Sequence, residues 1–330
     1  MAKRKVQFIS LLALLIVAGI LIGVFTVWKP YQAKTEKPSV INVAINGSLS
    51  PLNIVKDKGW LDEELKKYNV TVAWSEFPSG PPLLEALAAK RVDLSFLGDG
   101  AALSGQSSGL PFINIALISD GKSLNSLLVH ENSEIQTIAD LKGKTIAVAK
   151  GTTSHVFLLK VLVKNGLTEK DVSLVNLQLQ EGLPAFTSGK VDAWVTIEPY
   201  PIQLVLQKEA RVLAGAEQGI LAPATVIART EFANNHPELV EVYLSVFKRA
   251  ADYANANKEE VAQLFSELKK IPSEVISEFL NKQNYTIGPV SEDAIEAQQA
   301  SADLLFENDF IKKKITFTDY VDNAIVKKIK

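Results

Sequence analysis

Two spacings of apolar residues take turns along this chain. Short runs rich in β-branched residues are separated by stretches in which apolar residues recur every three or four positions. The runs predict strands at 40–45, 70–74, 93–97, 112–118, 126–129, from 145 towards Gly151, and at 172–177, 191–197 and 224–229. The longer-period stretches predict helices at 51–65, 83–90 and 100–108, another after Gly151 through Val156, Leu159 and Val163, and one at 201–209. Beyond 229 the pattern turns almost wholly helical, at 237–254, 258–269, 273–281 and 291–308. Thr137 with Asp140, and Thr168 with Asp171, have the spacing of capping boxes that open short helices. Strands alternating with helices imply an α/β fold with mostly parallel sheets.

The joints between the elements carry the candidate chemistry. At Lys150-Gly151-Thr152-Thr153-Ser154-His155 a strand stops at a glycine and a helix starts among hydroxyl side chains. The first backbone N–H groups of a helix lack internal partners, and the helix dipole favours negative charge beside them. Gly98-Asp99-Gly100 is a second joint of this kind. Asn46-Gly47-Ser48 and Glu198-Pro199 also follow strands. Ligands of open α/β sheets sit beyond the carboxyl ends of strands, so these joints predict one small-molecule site walled by donors. The candidate binding residues are Asn46, Ser48, Gly98, Asp99, Gly151, Thr152, Thr153, His155, Trp194 and Glu198. Hydroxyls and free N–H groups suit an anion, and Trp194 and Pro199 are candidate apolar walls. Asp99 would repel an anion and has a competing role as a helix cap.

Composition narrows the classes. Of 330 residues none is cysteine and three are histidine, which excludes thiol chemistry and disfavours a metal site; no cofactor is expected. A formal net charge of −2 gives no support for nucleic-acid binding. Gly143-Lys144-Thr145 lacks the upstream glycine of a phosphate-binding loop. Gly105-Gln-Ser107-Ser-Gly109 matches the nucleophile-elbow pattern, but its serine falls at a helix end rather than at a strand-to-helix turn, so no enzyme is implied. Lys3-Arg4-Lys5 precede an uncharged run over residues 6–28, nearer the length of a membrane-spanning helix than of a secretory signal. This predicts an N-terminal hydrophobic helix anchoring an extracytoplasmic body, with cleavage and release as the alternative.

Several segments together resemble the periplasmic aliphatic-sulfonate-binding proteins of ABC transporters. They are Glu76-Phe-Pro-Ser-Gly80-Pro-Pro-Leu-Leu-Glu-Ala-Leu87, Asp140-Leu-Lys-Gly-Lys-Thr-Ile-Ala-Val148, Lys150-Gly-Thr-Thr-Ser-His155, Val191-Asp-Ala-Trp-Val-Thr-Ile-Glu-Pro199 and Glu231-Phe-Ala-Asn-Asn-His-Pro237. The resemblance covers roughly residues 40–320. It implies a two-lobed periplasmic-binding-protein-like (type II) clam-shell with the ligand cleft between its lobes. Residues 1–38 would be anchor and linker, 39–126 with 226–330 lobe one, and 127–225 lobe two. It also implies a monomer that hands a small organic anion to an ABC permease with its ATPase subunit. The related taurine branch places acidic residues where this chain has Asn125 and Ala224, which favours an unsubstituted alkanesulfonate over taurine. A thiamine-precursor-type pyrimidine in the same fold is the alternative ligand.

Overall fold

The computed structural model describes residues 37–329. The expected N-terminal hydrophobic helix at 6–28 lies outside them. Among the described residues ten strands form two five-stranded sheets. The first contains β1 (Val40–Ile45), β2 (Thr71–Glu76), β3 (Leu94–Gly98), β4 (Phe112–Ser119) and β10 (Ala224–Arg229), in the order β2-β1-β3-β10-β4. The second contains β5 (Asn125–His130), β6 (Thr145–Val148), β7 (Ser173–Asn176), β8 (Ala193–Ile197) and β9 (Ala210–Ala214), in the order β7-β6-β8-β5-β9. The expectation of mostly parallel pairing needs correction. In each sheet one strand runs against both its neighbours: β10 against β3 and β4, and β5 against β8 and β9. Both are the strands by which the chain enters one sheet from the other, so each arrives from the opposite end.

Twelve helices cover the sheets among the described residues: α1 (Pro51–Lys58), α2 (Trp60–Lys66), α3 (Gly80–Ala88), α4 (Asp99–Ser107), α5 (Thr153–Lys164), α6 (Leu179–Thr187), α7 (Tyr200–Leu206), α8 (Thr230–Asn235), α9 (Pro237–Ala256), α10 (Lys258–Lys269), α11 (Ser273–Lys282) and α12 (Glu292–Glu307). Helix α9 shows why the long-period stretches were readable. Leu239, Val240, Tyr243, Leu244, Phe247, Ala250, Ala251 and Ala254 share one face and are buried. Each large apolar side chain so buried contributes on the order of 2 kcal/mol, so packing of the stripe holds the helix. The helix expected over 51–65 is broken by Gly59, whose left-handed φ of 65° ends α1 and starts α2. The expected helix at 83–90 starts earlier, at Gly80, because Pro81 and Pro82 fit a first helical turn, where their missing N–H groups cost nothing.

The chain passes between the sheets twice, after β4 and before β10. The two passages lie side by side, and the Ala222 N–H donates to the Asp120 carbonyl at 3.0 Å. They approach so closely that a Cβ on Gly121 would stand 2.0 Å from the Ala222 carbonyl oxygen, and Gly121 also has φ +68°. Only glycine meets both conditions. Lys160 of α5 donates to the Leu221 carbonyl at 3.1 Å and Gln298 of α12 to the Pro223 carbonyl at 3.0 Å. The return passage is thus gripped by helices on both sides.

Candidate functional site

A cavity of about 90 Å3 lies between the two sheets, beyond the carboxyl ends of β1, β3, β6 and β8. Its wall contains residues of both sheets. Asn46, Gly47 and Ser48 follow β1, Ser79 and Gly80 open α3, and Gly98 opens α4. Opposite them, Thr152, Thr153 and Ser154 open α5, and Gln178 and Leu179 open α6. Four helices of at least nine residues therefore start at this one cavity. Their dipoles superpose a positive potential there, although Pro81 and Pro82 bring no N–H to the start of α3 and the Gly100 N–H of α4 is taken by Asp99. Among the described residues no charged side chain lines the cavity. Phe96, Leu124, Leu177, Trp194, Val195 and Ile197 make the remaining wall apolar. The arrangement suits a small anion with an apolar tail.

The walls meet closely behind the cavity. A Cβ on Gly98 would lie 3.2 Å from Thr153 Cβ, and one on Gly100 only 2.4 Å from the Thr152 carbonyl oxygen. The glycines at the start of α4 thus let it touch the start of α5.

Six of the ten candidate residues line the cavity: Asn46, Ser48, Gly98, Thr152, Thr153 and Trp194. Several of their donors already have partners. Asn46 Nδ2 donates to the Phe96 carbonyl at 3.1 Å, and Asn46 Oδ1 accepts from the Ser48 N–H and hydroxyl. The Thr152 hydroxyl donates to the Ala149 carbonyl at 2.6 Å. One remaining Asn46 N–H, the backbone N–H groups not engaged in this way and any hydroxyl that turns away from these acceptors are left to face a ligand.

The other four sit outside the lining. Gly151, with φ +77°, packs near Pro81 and Phe310, and its N–H points at His155 Nδ1 across 3.4 Å. His155 is fully buried, with Phe310 against its ring edge at 4.8 Å between centroids. Burial pushes its pKa down to about 4 against the opposing pull of Glu169, so the ring is neutral near pH 7 and supports the turn from behind. Asp99 is buried as well. Its carboxylate accepts from the Gly100 N–H at 2.8 Å and the Ser301 hydroxyl at 3.1 Å, and it bonds the Thr153 hydroxyl. Burial raises its pKa, opposed first by the charge of Lys160. Glu198 precedes α7 and accepts from the Ile202 N–H at 3.4 Å. Burial pushes it up to about 7, against the Ile202 N–H and Lys282, with Glu278 adding to the rise. Pro199, a candidate wall, also lies outside the lining.

Two residues that sequence reasoning passed over matter here. The Ser79 hydroxyl and Gln178 Oε1 are buried at the cavity without a hydrogen-bond partner. Buried polar groups are normally paired, so both are free to meet a ligand. Ser79 was present in the Phe-Pro-Ser-Gly segment and its place before a helix was a usable signal. Nothing in the sequence marks Gln178, because the helix it opens was not predicted.

The model of NMT1/THI5-like proteins matches residues 46–261, a span that starts at the cavity and takes in strands of both sheets. The chain belongs to the NMT1/THI5-like family. Among its relatives, this NMT1/THI5-like chain is 39% identical over 289 residues to an aliphatic-sulfonate-binding protein of Bacillus subtilis (strain 168), covering 87% of each. It is similar in structure to the alkanesulfonate-binding protein of Xanthomonas axonopodis pv. citri bound to MOPS, with TM-score 0.81 and 29% identity over 87% of this chain and 99% of that one. The periplasmic aliphatic sulphonate binding protein of Escherichia coli matches with TM-score 0.77 and 28% identity over 87% of this chain and 93% of that one. The two-sheet fold of this family member is that of periplasmic binding proteins, as its segments led one to expect.

Proposed function

We propose that the chain is the extracytoplasmic receptor of an ABC importer and captures a small organic monoanion, an aliphatic sulfonate above all. The observation that carries this reading is the convergence of four helix N-termini on a cavity with no charged side chain. A sulfonate has one full negative charge, three acceptor oxygens and no proton at neutral pH, so it needs donors only. Charge-assisted bonds from neutral N–H and O–H groups hold such an ion without a buried cation. The sulfonate-binding relatives support the same class.

In this reading Asn46, Ser48, Ser79, Thr152, Thr153 and Gln178 and the N–H groups near Gly98 face the sulfonate, while Phe96, Trp194 and Ile197 face the carbon chain. Asp99, Gly151, His155 and Glu198 act from behind. A cavity near 90 Å3 is smaller than the roughly 150 Å3 that accommodates benzene, which favours a short chain over a pyrimidine. With no carboxylate among the described residues of the lining, the ammonium of taurine has no partner there.

Lobe one (39–126 with 226–330) and lobe two (127–225) close on the ligand about the paired passages at Asp120 and Ala222. The closed form docks on a permease whose ATPase subunit drives uptake, with the monomer tethered to the membrane by residues 6–28. Uptake of labelled ethanesulfonate by cells with and without the gene tests this. Loss of uptake with intact sulfate uptake is expected; undiminished uptake in the deletion strain contradicts the proposal.

A further inference from the structure

We propose that Lys269 is a positioning residue of the anion site: it fixes the turn at Gly47 and gives the otherwise uncharged cavity a cation one residue away. Lys269 ends α10, far in sequence from every cavity residue. Its ammonium nevertheless donates to the Gly47 carbonyl at 2.6 Å. Gly47 is held from another direction too, since a Cβ there would stand 2.2 Å from the Pro78 carbonyl oxygen. Its neighbour Ser48 is tied to Asn46, and Asn46 to Phe96. The turn is therefore clamped, with the Gly47 carbonyl held by the lysine and the Ser48 N–H held by Asn46 Oδ1.

The charges around the cavity single out this lysine. Lys150 is paired with Glu169 at 2.9 Å, and Lys160 faces the buried Asp99. The carboxylate near Lys269 is Glu76, which is already paired with Lys56 and is largely exposed. Lys269 thus carries positive charge that its surroundings do not fully cancel. Burial lowers its pKa, partly opposed by Glu76, which marks a weakly hydrated ammonium whose field reaches the cavity better than that of a surface lysine. An anion in the cavity would lie on the far side of a polarised peptide from this charge.

The inference rests on the reading of the cavity as an anion site, and the test separates the two. In the full-length protein, K269M should weaken ethanesulfonate binding about tenfold, the loss expected for one charge-assisted contact. K269R keeps a charged donor and should recover most of it. Without any ligand, hydrogen exchange at the Ser48 amide should quicken in K269M and return towards the wild-type rate in K269R. Unchanged affinity in K269M, unchanged exchange, or a loss that K269R does not recover overturns the role of Lys269. Absence of ethanesulfonate binding by the wild type would instead sink the anion reading, and the exchange rates would still judge the lysine.

Discussion

Replacing Gly100 with alanine tests how tightly the two walls of the site are fitted. The new Cβ would stand 2.4 Å from the Thr152 carbonyl oxygen, 2.6 Å from its carbon and 3.1 Å from Val156 Cγ2. Ordinary contact begins at 3.4 Å, so the start of α5 must retreat from α4 by 3.4 − 2.4 = 1.0 Å. Overpacking of this kind costs about 1–3 kcal/mol. Alanine returns about 1 kcal/mol as the better helix former. The net loss is about 0–2 kcal/mol, a fall in melting temperature of up to several degrees. The effect on binding should be larger, because the displaced backbone carries Thr152 and Thr153. Stretching one charge-assisted contact by that distance forfeits about 1.5–3 kcal/mol, or roughly tenfold to hundredfold in affinity. Calorimetric titration with ethanesulfonate and a thermal melt read the two quantities. G288A, where nothing lies within 4 Å of the new Cβ, is the control. A G100A protein matching that control in both affinity and melting temperature would refute the close fit.

Other outcomes follow from the same geometry. S79A removes a hydroxyl, and Q178A an amide oxygen, with no partner inside the protein, so each should weaken sulfonate binding about fivefold to fiftyfold while leaving the melting temperature unchanged or higher; a lower melting temperature with intact affinity would assign them to packing. Glu198 rises from its ordinary 4.5 to about 7 on folding, so between those values the unfolded chain holds fewer protons than the folded one. Stability should therefore fall as pH rises from about 4.5 to 7, by up to about 3 kcal/mol, and E198Q should flatten that slope in pH-dependent denaturation. Trp194 lies against both the cavity and Tyr200, so ligand should change the tryptophan emission, and W194F should abolish that change; a signal surviving in W194F would place it at one of the other three tryptophans, Trp28, Trp60 or Trp74.

Much of the fold was legible because burial leaves a period in the sequence. Helix α10 coincides with the stretch read at 258–269, and the buried run of β8 stands within 191–197. Three elements left no such trace. Strand β9 is short, with Arg211 and the exposed Val212 inside it, so neither alternation nor an apolar run appears. Helix α6 carries Pro184 in its interior, which reads as a stop. Helix α8 is six residues long, too short to show a period. For the site, the glycine and hydroxyl joints pointed to the strand ends where the cavity lies. Which side chains reach the cavity was legible only in part. His155 and Asp99 turn behind the wall, Gln178 lines it from a helix that left no trace in the pattern, and the distant Lys269 comes to stand behind Gly47 through packing that no local spacing encodes.

The central claim is that the cavity holds a small organic anion by neutral donors, and calorimetry on the ligand-stripped protein tests it most directly. The panel is ethane-, butane- and hexanesulfonate, taurine, sulfate and a hydroxymethylpyrimidine. One-to-one binding of an alkanesulfonate, strongest for the short chain and weaker for taurine, is the predicted result. Heat from the pyrimidine alone, with silence towards every sulfonate, would contradict it.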